Sequence, residues 1–188
     1  MSKQLQAGQT SPPLEATNIH GARISVPGDT RVHLQFRRFA RCPICNLHLQ
    51  SFIRRNDELK KAGIVEIVFF HSSAAELLPH QGSFPFDVVG DAERRFYRQY
   101  GVSRSISSLL HPKTWLAMLQ GLFTKGRPAI SLLPEGGLLG LPADFLIAVD
   151  GLVEAAHYGT HAYDHWSVDQ VLELAAQSPK TDHKTIAV

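Results

Sequence analysis

Both cysteines of the chain lie in one short stretch, Arg41-Cys42-Pro43-Ile44-Cys45. An alternating apolar strand pattern over residues 32–36 runs into this stretch, and the pattern of an amphipathic helix follows it. Pro43 fits the first position of that helix, which needs no backbone N–H and favours the fixed φ of proline. The unpaired N–H groups and the dipole of a helix N-terminus favour a thiolate, here that of Cys42. Two thiols at this spacing on a strand-to-helix junction predict a redox-active dithiol.

The composition of the chain is that of a single globular domain. With 188 residues, 44% of them hydrophobic, the chain can bury roughly two-thirds of its unfolded surface. The formal net charge of +2 is mild and the basic residues are interspersed with acidic ones, so no nucleic-acid partner is expected. No apolar run is long enough for a membrane span and the first residues carry no export signal, so we expect no membrane association and a cytoplasmic location. In a reducing compartment, a close cysteine pair is usually catalytic, redox-sensing or metal-binding.

The rest of the chain alternates between strand and helix patterns. The first half predicts a flexible tail over 1–13, an N-terminal β-hairpin turning at His20-Gly21, a strand over 32–36, a helix from 43 to about 62 and a strand over 64–70. The patterns that follow predict a short helix capped by Ser73, a strand over 86–89, a helix capped by Asp91 and an insertion at about 102–140. The last part predicts a hairpin of strands 145–149 and 152–157, a helix capped by Ser167 and a flexible tail over 178–188. Parallel strands linked by helices, followed by an antiparallel hairpin, predict a three-layer α/β sandwich with a mixed central sheet and helices on both faces.

Four segments carry a resemblance to a known family. They are Phe36 to Cys45 with its Cys-Pro-Ile-Cys motif, Phe86 to Val102, Leu141 to Gly151 and Ala156 to His165. Over about residues 14–177 the chain resembles the thioredoxin superfamily, and within it the peroxiredoxin-like proteins related to alkyl hydroperoxide reductase and thiol-specific antioxidant. The resemblance implies one thioredoxin-like domain with Cys42 as the peroxidatic thiol and Cys45 as the resolving thiol. It also implies that Pro142 corresponds to the superfamily's cis-proline, which would lie across from the dithiol.

The chain departs from typical peroxiredoxins at the places that orient a peroxide. Those proteins carry Pro-x-x-x-Thr/Ser-x-x-Cys, but here Gln35 stands at the place of the proline and Phe39 at that of the hydroxyl residue. They also resemble one another in an arginine near the start of the late strand, where Pro142 stands here. Four arginines are candidates to replace these groups: Arg37, Arg38, Arg41 and Arg127. Of these, Arg38 and Arg41 are our candidates for stabilising the thiolate.

These features leave three classes of function open. The first is a peroxidase in which Cys42 attacks a peroxide, forms a disulfide with Cys45 and is regenerated by an external thiol such as a thioredoxin, a glutaredoxin or glutathione. The second is a thiol-disulfide oxidoreductase acting on protein or small-molecule disulfides with the same dithiol. The third is a non-catalytic binding scaffold or a metal clip, in which the two cysteines would need His33, His48 or another histidine to complete a zinc site. We expect neither a cofactor nor a metal, and a homodimer is one assembly that the resemblance admits.

Other polar residues are secondary candidates. His48 lies nearly two turns into the predicted cysteine helix, from which it can approach the site. Asp144 is a candidate for assisting proton transfer if its carboxyl group is buried. The spacing of His157, His161 and His165 by four would suit a helical metal site, but Gly159 and the preceding strand pattern argue against a helix there.

Overall fold

The computed structural model of the protein describes residues 3–103 and 140–178. Within these ranges the strands are β1 (Leu14–Thr17), β2 (Arg23–Val26), β3 (Arg31–Phe36), β4 (Ile64–Phe70), β5 (Asp87–Gly90), β6 (Ala143–Ile147) and β7 (Val153–Tyr158). The helices are α1 (Pro43–Arg54), α2 (Asn56–Lys61), α3 (Ala74–Gln81), α4 (Arg95–Gln99) and α5 (Val168–Gln177).

A five-stranded mixed sheet forms the centre of the fold, in the order β5-β4-β3-β6-β7. β3, β4 and β5 are parallel, whereas β6 is antiparallel to both β3 and β7. In the register of the sheet, Phe36 at the end of β3 lies beside Phe69 of β4 and Ala143 at the start of β6. The segment that follows β3 therefore lies near the first residues of β6, at the same end of these two neighbouring strands.

Each face of the sheet has its own apolar core. On one face, Phe36 packs against the rings of Tyr97, Tyr100 and Phe145. The hairpin of β1 and β2 contributes apolar side chains to this same cluster. On the other face lie side chains of α1 and α5, among them Leu49. The predicted three-layer α/β sandwich with an N-terminal hairpin is confirmed.

Two predictions about the course of the chain differ from the observed structure. The cysteine helix does not run unbroken to residue 62, because Arg55 leaves helical geometry at φ −108° and ψ 17° and separates α1 from α2. Gly63, at φ +72°, follows α2 as the stop that the sequence predicted. The prediction of a flexible tail over 1–13 is wrong for residues 8–11, since Gly8 and Ser11 donate backbone hydrogen bonds to Val153 and Gly151 beside β7. The predicted insertion and C-terminal tail lie almost wholly outside the described residues.

None of the helices in the two described ranges has the length and apolar character needed to cross a bilayer.

Candidate active site

Cys42 is the N-cap of α1, so its sulfur lies at the positive end of that helix. Its Sγ accepts a hydrogen bond from the backbone N–H of Cys45 at 3.4 Å. Pro43 takes the first helical position, where its missing N–H removes no helical hydrogen bond. Both cysteines are free thiols and both are buried, with Cys42 0% exposed and Cys45 2% exposed. The predicted place of the dithiol at a strand-to-helix junction is what the structure has.

The loop between β3 and α1 is held on both sides. The backbone N–H of Arg37 donates to the carbonyl of Phe69, and that of His71 donates to the carbonyl of Arg38, which continues the pairing of β3 with β4. The side chain of Gln81 on α3 donates to the carbonyl of Ala40 at 2.6 Å. These bonds fix the backbone of Arg37 and Arg38 relative to the sheet.

Arg38 reaches the Cys42 sulfur, whereas Arg41 is directed elsewhere. Nη1 of Arg38 lies 3.9 Å from Sγ of Cys42, and Arg38 is 3% exposed. Nε of Arg41 instead donates to Nε2 of His80 on α3, at 3.2 Å. Of the two predicted thiolate stabilisers, only Arg38 has the geometry for that role. Arg127 lies outside the described residues.

The surroundings of the two thiols separate their acidities. Burial opposes ionisation of Cys42, but a hydrogen bond from the Cys45 thiol, the charge of Arg38 and the backbone N–H groups of Cys45 and Ile44 together lower its pKa to about 6. Burial and the neighbouring Cys42 sulfur raise the pKa of Cys45 well above its ordinary value. At neutral pH, the Cys42 sulfur is thus the more acidic of the two and is largely a thiolate, whereas Cys45 keeps its proton and donates it to the Cys42 sulfur.

Pro142 does not have the peptide geometry that the resemblance implied. Within the described residues, the cis peptide bond is the one between Val26 and Pro27, and the Leu141–Pro142 bond is trans. The prediction that Pro142 is a cis-proline is therefore wrong. The residue does lie immediately before β6, and its carbonyl accepts a hydrogen bond from the N–H of Gly159 at 2.9 Å.

A buried polar cluster underlies the cysteine helix, formed by side chains of three adjacent strands. Nδ1 of His33 lies 2.8 Å from Glu66, and Nε2 lies 3.2 Å from Asp144. Arg37 donates to both carboxylate oxygens of Asp144, at 2.6 and 3.3 Å. Gln35 joins the two halves by donating to Glu66 and accepting from Arg37. None of these five side chains is more than 1% exposed.

The charges of this buried cluster balance. Burial opposes a charge on His33, but the Glu66 charge and the hydrogen bonds that the ring donates to Asp144 and Glu66 raise its pKa to about 9, so that at neutral pH it donates from both ring nitrogens. Burial likewise opposes ionisation of Asp144, yet the charges of Arg37 and His33 hold its pKa well below its usual value. Two cations and two carboxylates thus lie together beneath the site, with no excess charge to be buried.

His48 connects the buried cluster to the cysteine helix. It lies on α1 three residues after Cys45, and its Nε2 is 3.1 Å from Nη2 of Arg37. Burial and the nearby charges of His165 and Arg37 push the pKa of His48 far below its ordinary value, so its neutral ring accepts this hydrogen bond. The ring of His165 packs against it with centroids 3.5 Å apart.

Sequence reasoning identified members of this cluster but not the cluster itself. It proposed that His48 can approach the site and that Asp144 can assist proton transfer if buried, whereas Glu66 and Gln35 received no role. A signal was present in the polar residues at positions 33 and 35, which alternate with apolar residues on β3, the central strand of the sheet, and in Arg37 directly after that strand. Within the described residues, no three histidine, cysteine or carboxylate side chains are arranged to hold a metal ion.

Comparison with solved structures shows the same fold in peroxide-related proteins. Peroxidoxin BcpB of Mycobacterium tuberculosis matches with a TM-score of 0.69 and 16% identity, over 94% of this chain and 100% of that one. A 2-Cys peroxiredoxin of Plasmodium vivax matches with a TM-score of 0.65 and 13% identity, over 92% and 81% of the two chains. A thiol peroxidase of Chromobacterium violaceum matches with a TM-score of 0.64 and 14% identity, over 94% and 89%. No curated protein matches the sequence.

The sequence profile of one enzyme family matches more than half of the chain. It is the AhpC/TSA antioxidant enzyme family, and the match covers residues 51–161. Because this match begins after Cys45, the roles of the two cysteines rest on the geometry described above. The family expectation drawn from the sequence is confirmed: the chain belongs to the AhpC/TSA antioxidant enzyme family, within the thioredoxin superfamily, and is a thiol-dependent oxidoreductase.

Proposed function

We propose that the protein reduces peroxides, with Cys42 as the attacking thiolate and Cys45 as the resolving thiol. One observation carries this proposal: the Cys42 sulfur lies at a helix N-terminus, 3.9 Å from the Arg38 guanidinium and in hydrogen-bond contact with the Cys45 thiol. This arrangement supplies a thiolate at neutral pH and a second thiol next to it.

The reaction takes place in two steps on these sulfurs. The Cys42 thiolate attacks the terminal oxygen of the hydroperoxide; an S–O bond forms, the O–O bond breaks and the leaving oxygen takes up a proton, so an alcohol or water departs. Cys42 is then a sulfenic acid. The Cys45 sulfur next attacks the Cys42 sulfur, the S–O bond breaks and the departing hydroxyl leaves as water with the proton of Cys45. The product is a Cys42–Cys45 disulfide.

An external thiol must return this disulfide to the dithiol. Two thiol equivalents, from a thioredoxin, a glutaredoxin or glutathione, supply the two electrons through a mixed disulfide. We also propose a cytoplasmic location, because thiol reductants of this kind keep cysteines reduced in the cytoplasm. A homodimer also stays a prediction, which light scattering on the purified protein tests.

Thiol-disulfide exchange is the second candidate, and one observation favours it. Phe39 and Pro142 occupy the places of the hydroxyl and the arginine that typical peroxiredoxins use to orient a peroxide. The burial of Cys42 points the other way, because a sulfur without exposed surface is more accessible to a small hydroperoxide than to a protein disulfide. We therefore place peroxide reduction first.

Two variants separate these functions. Reduced wild-type protein is expected to consume hydrogen peroxide or an organic hydroperoxide much faster than a Cys42→Ser variant does. Equal rates would remove the peroxidase proposal. If a Cys45→Ser variant instead captures a partner protein as a stable mixed disulfide, while peroxide is left untouched, the protein is a disulfide oxidoreductase.

A further inference from the structure

The guanidinium of Arg37 joins three elements beneath the site, although the proposed reaction does not use it. It donates to the Asp144 carboxylate on β6, to Oε1 of Gln35 on β3 at 2.5 Å, and to Nε2 of His48 on α1 at 3.1 Å. Arg37 is 0% exposed, so water does not compete for these donors. We call Arg37, Asp144 and His48 the clamp.

The clamp is held from behind by the rest of the buried cluster. His33 bridges Asp144 to Glu66, which fixes the carboxylate that receives Arg37. On the other side, the hydroxyl of Tyr97 donates to the backbone carbonyl of Arg37 at 2.5 Å. Both the side chain and the backbone of Arg37 therefore have defined positions.

The clamp also fixes the two halves of the thiolate site relative to each other. Arg38 follows Arg37 directly in the chain, so its backbone position depends on the anchoring of Arg37. His48 lies one turn after Cys45 on the helix that Cys42 caps. The bond between Arg37 and His48 thus joins the segment that carries the cation to the helix that carries the sulfur.

We propose that Arg37, Asp144 and His48 are positioning residues that hold Arg38 against the Cys42 sulfur, and thereby set the reactivity of this thiol. The proposal rests on the role of Cys42 as the attacking thiol, which peroxide reduction and disulfide exchange share. It does not depend on which of these substrates the enzyme uses.

Substitution of His48 tests the proposal without changing the net charge, because the His48 ring is neutral. His48 is also not one of the groups that shift the pKa of Cys42 directly. His48→Phe keeps an aromatic ring beside Phe52 and His165 but removes the acceptor for Arg37. We expect the pKa of Cys42 to rise by about half a unit or more, which lowers its alkylation rate at pH 5 about threefold. His48→Gln, which restores an acceptor oxygen, is expected to recover most of this loss.

A double-mutant cycle distinguishes positioning from general loosening of the core. If the clamp acts through Arg38, His48→Phe has no further effect on the pKa of Cys42 in an Arg38→Met background. Equal effects in both backgrounds, or an unchanged pKa in the single variant, overturn the proposal. The readout is site-specific alkylation followed by mass spectrometry, so it needs no peroxide and stays informative even if the protein proves not to be a peroxidase.

Folding of each variant is checked by circular dichroism and thermal unfolding before alkylation. If His48→Phe does not fold, His48→Leu removes the same acceptor with a smaller side chain and takes its place, with the same expected shift and the same comparison with His48→Gln. A Leu variant that alkylates like the Gln variant contradicts the proposal.

Discussion

Replacement of Arg38 by methionine is predicted to raise the pKa of the Cys42 thiol. The two charged groups lie 3.9 Å apart, measured from Nη1 to Sγ. At this separation, unit charges attract by about 4 kcal/mol at an effective dielectric constant of about 20, and by about 1 kcal/mol in bulk water. Because about 1.4 kcal/mol corresponds to one pKa unit, the expected rise is roughly one to three units.

The pKa is obtained from the pH dependence of alkylation at Cys42, followed by mass spectrometry so that Cys45 does not contribute to the signal. Methionine preserves the length and much of the apolar stem of arginine, which limits the loss of packing. The matched control is Arg41→Met, which removes an arginine of the same segment whose Nε bonds to His80. This control is expected to leave the pKa of Cys42 where it is in the wild type.

Two results would refute the reasoning. One is an Arg38→Met variant whose Cys42 titrates as in the wild-type protein. The other is an equal shift in the Arg41→Met control, because it would mean that the general positive charge of the segment acts, and not the contact between Arg38 and the sulfur.

Three further predictions follow from the dithiol and the buried cluster. Because folding raises the pKa of His33 from 6.5 to about 9, the stability that its charge contributes is complete below pH 6.5 and is lost as the pH rises to about 9; in chemical denaturation, the wild-type protein should therefore change by about 3 kcal/mol less favourably across this window than a His33→Gln variant, in which the opposite contribution of the Cys42 thiolate is the same. Asp144→Asn is expected to lower the free energy of unfolding by about 3–5 kcal/mol, because it leaves a buried cation without its partner. In the same assay, substitution of the exposed Asp169 by Asn should cost at most about 1 kcal/mol. Similar losses in both variants would contradict the stabilising role of the buried ion pair. In Cys45→Ser, mass spectrometry after peroxide treatment should show sulfenic and then sulfinic acid on Cys42, and protection equal to that of the wild type would exclude Cys45 as the resolving thiol.

The local patterns of the sequence were sufficient for the framework of the fold. Ser73 and Ser167 cap the helices that the sequence predicted them to cap, because an N-cap depends on residues within one turn. The apolar run over Ile64–Phe70 is a strand with partners on both sides, as its lack of alternation indicated. These features depend on neighbours in the chain, which are visible in a single sequence.

The site was predictable only in part, because its contacts join distant segments. Part of the acidity of Cys42 follows from its place at a helix N-terminus, which the sequence indicates. The sequence does not show which arginine reaches the sulfur, because the directions of the Arg38 and Arg41 side chains depend on the folded loop. The pairing of Asp144 with Arg37 requires the register of β6 beside β3, across more than a hundred residues of chain.

The N-terminal residues and Pro142 show the same limit. Polar composition over residues 1–13 predicted a loose tail, but backbone groups of residues 8–11 pair with the region of β7, and backbone pairing carries no compositional signal. For Pro142, which lies immediately before β6, the resemblance implied a cis peptide bond, whereas the Leu141–Pro142 bond is trans.

The most direct test of the proposed reaction is a single turnover of the reduced protein with one equivalent of hydrogen peroxide, followed by intact-mass and peptide mass spectrometry. The proposed reaction predicts that the peroxide is consumed, that the protein loses two hydrogen atoms, and that one peptide carries the Cys42–Cys45 disulfide, with neither change in Cys42→Ser. Peroxide that remains unconsumed, or that is consumed while both thiols stay free, would contradict it.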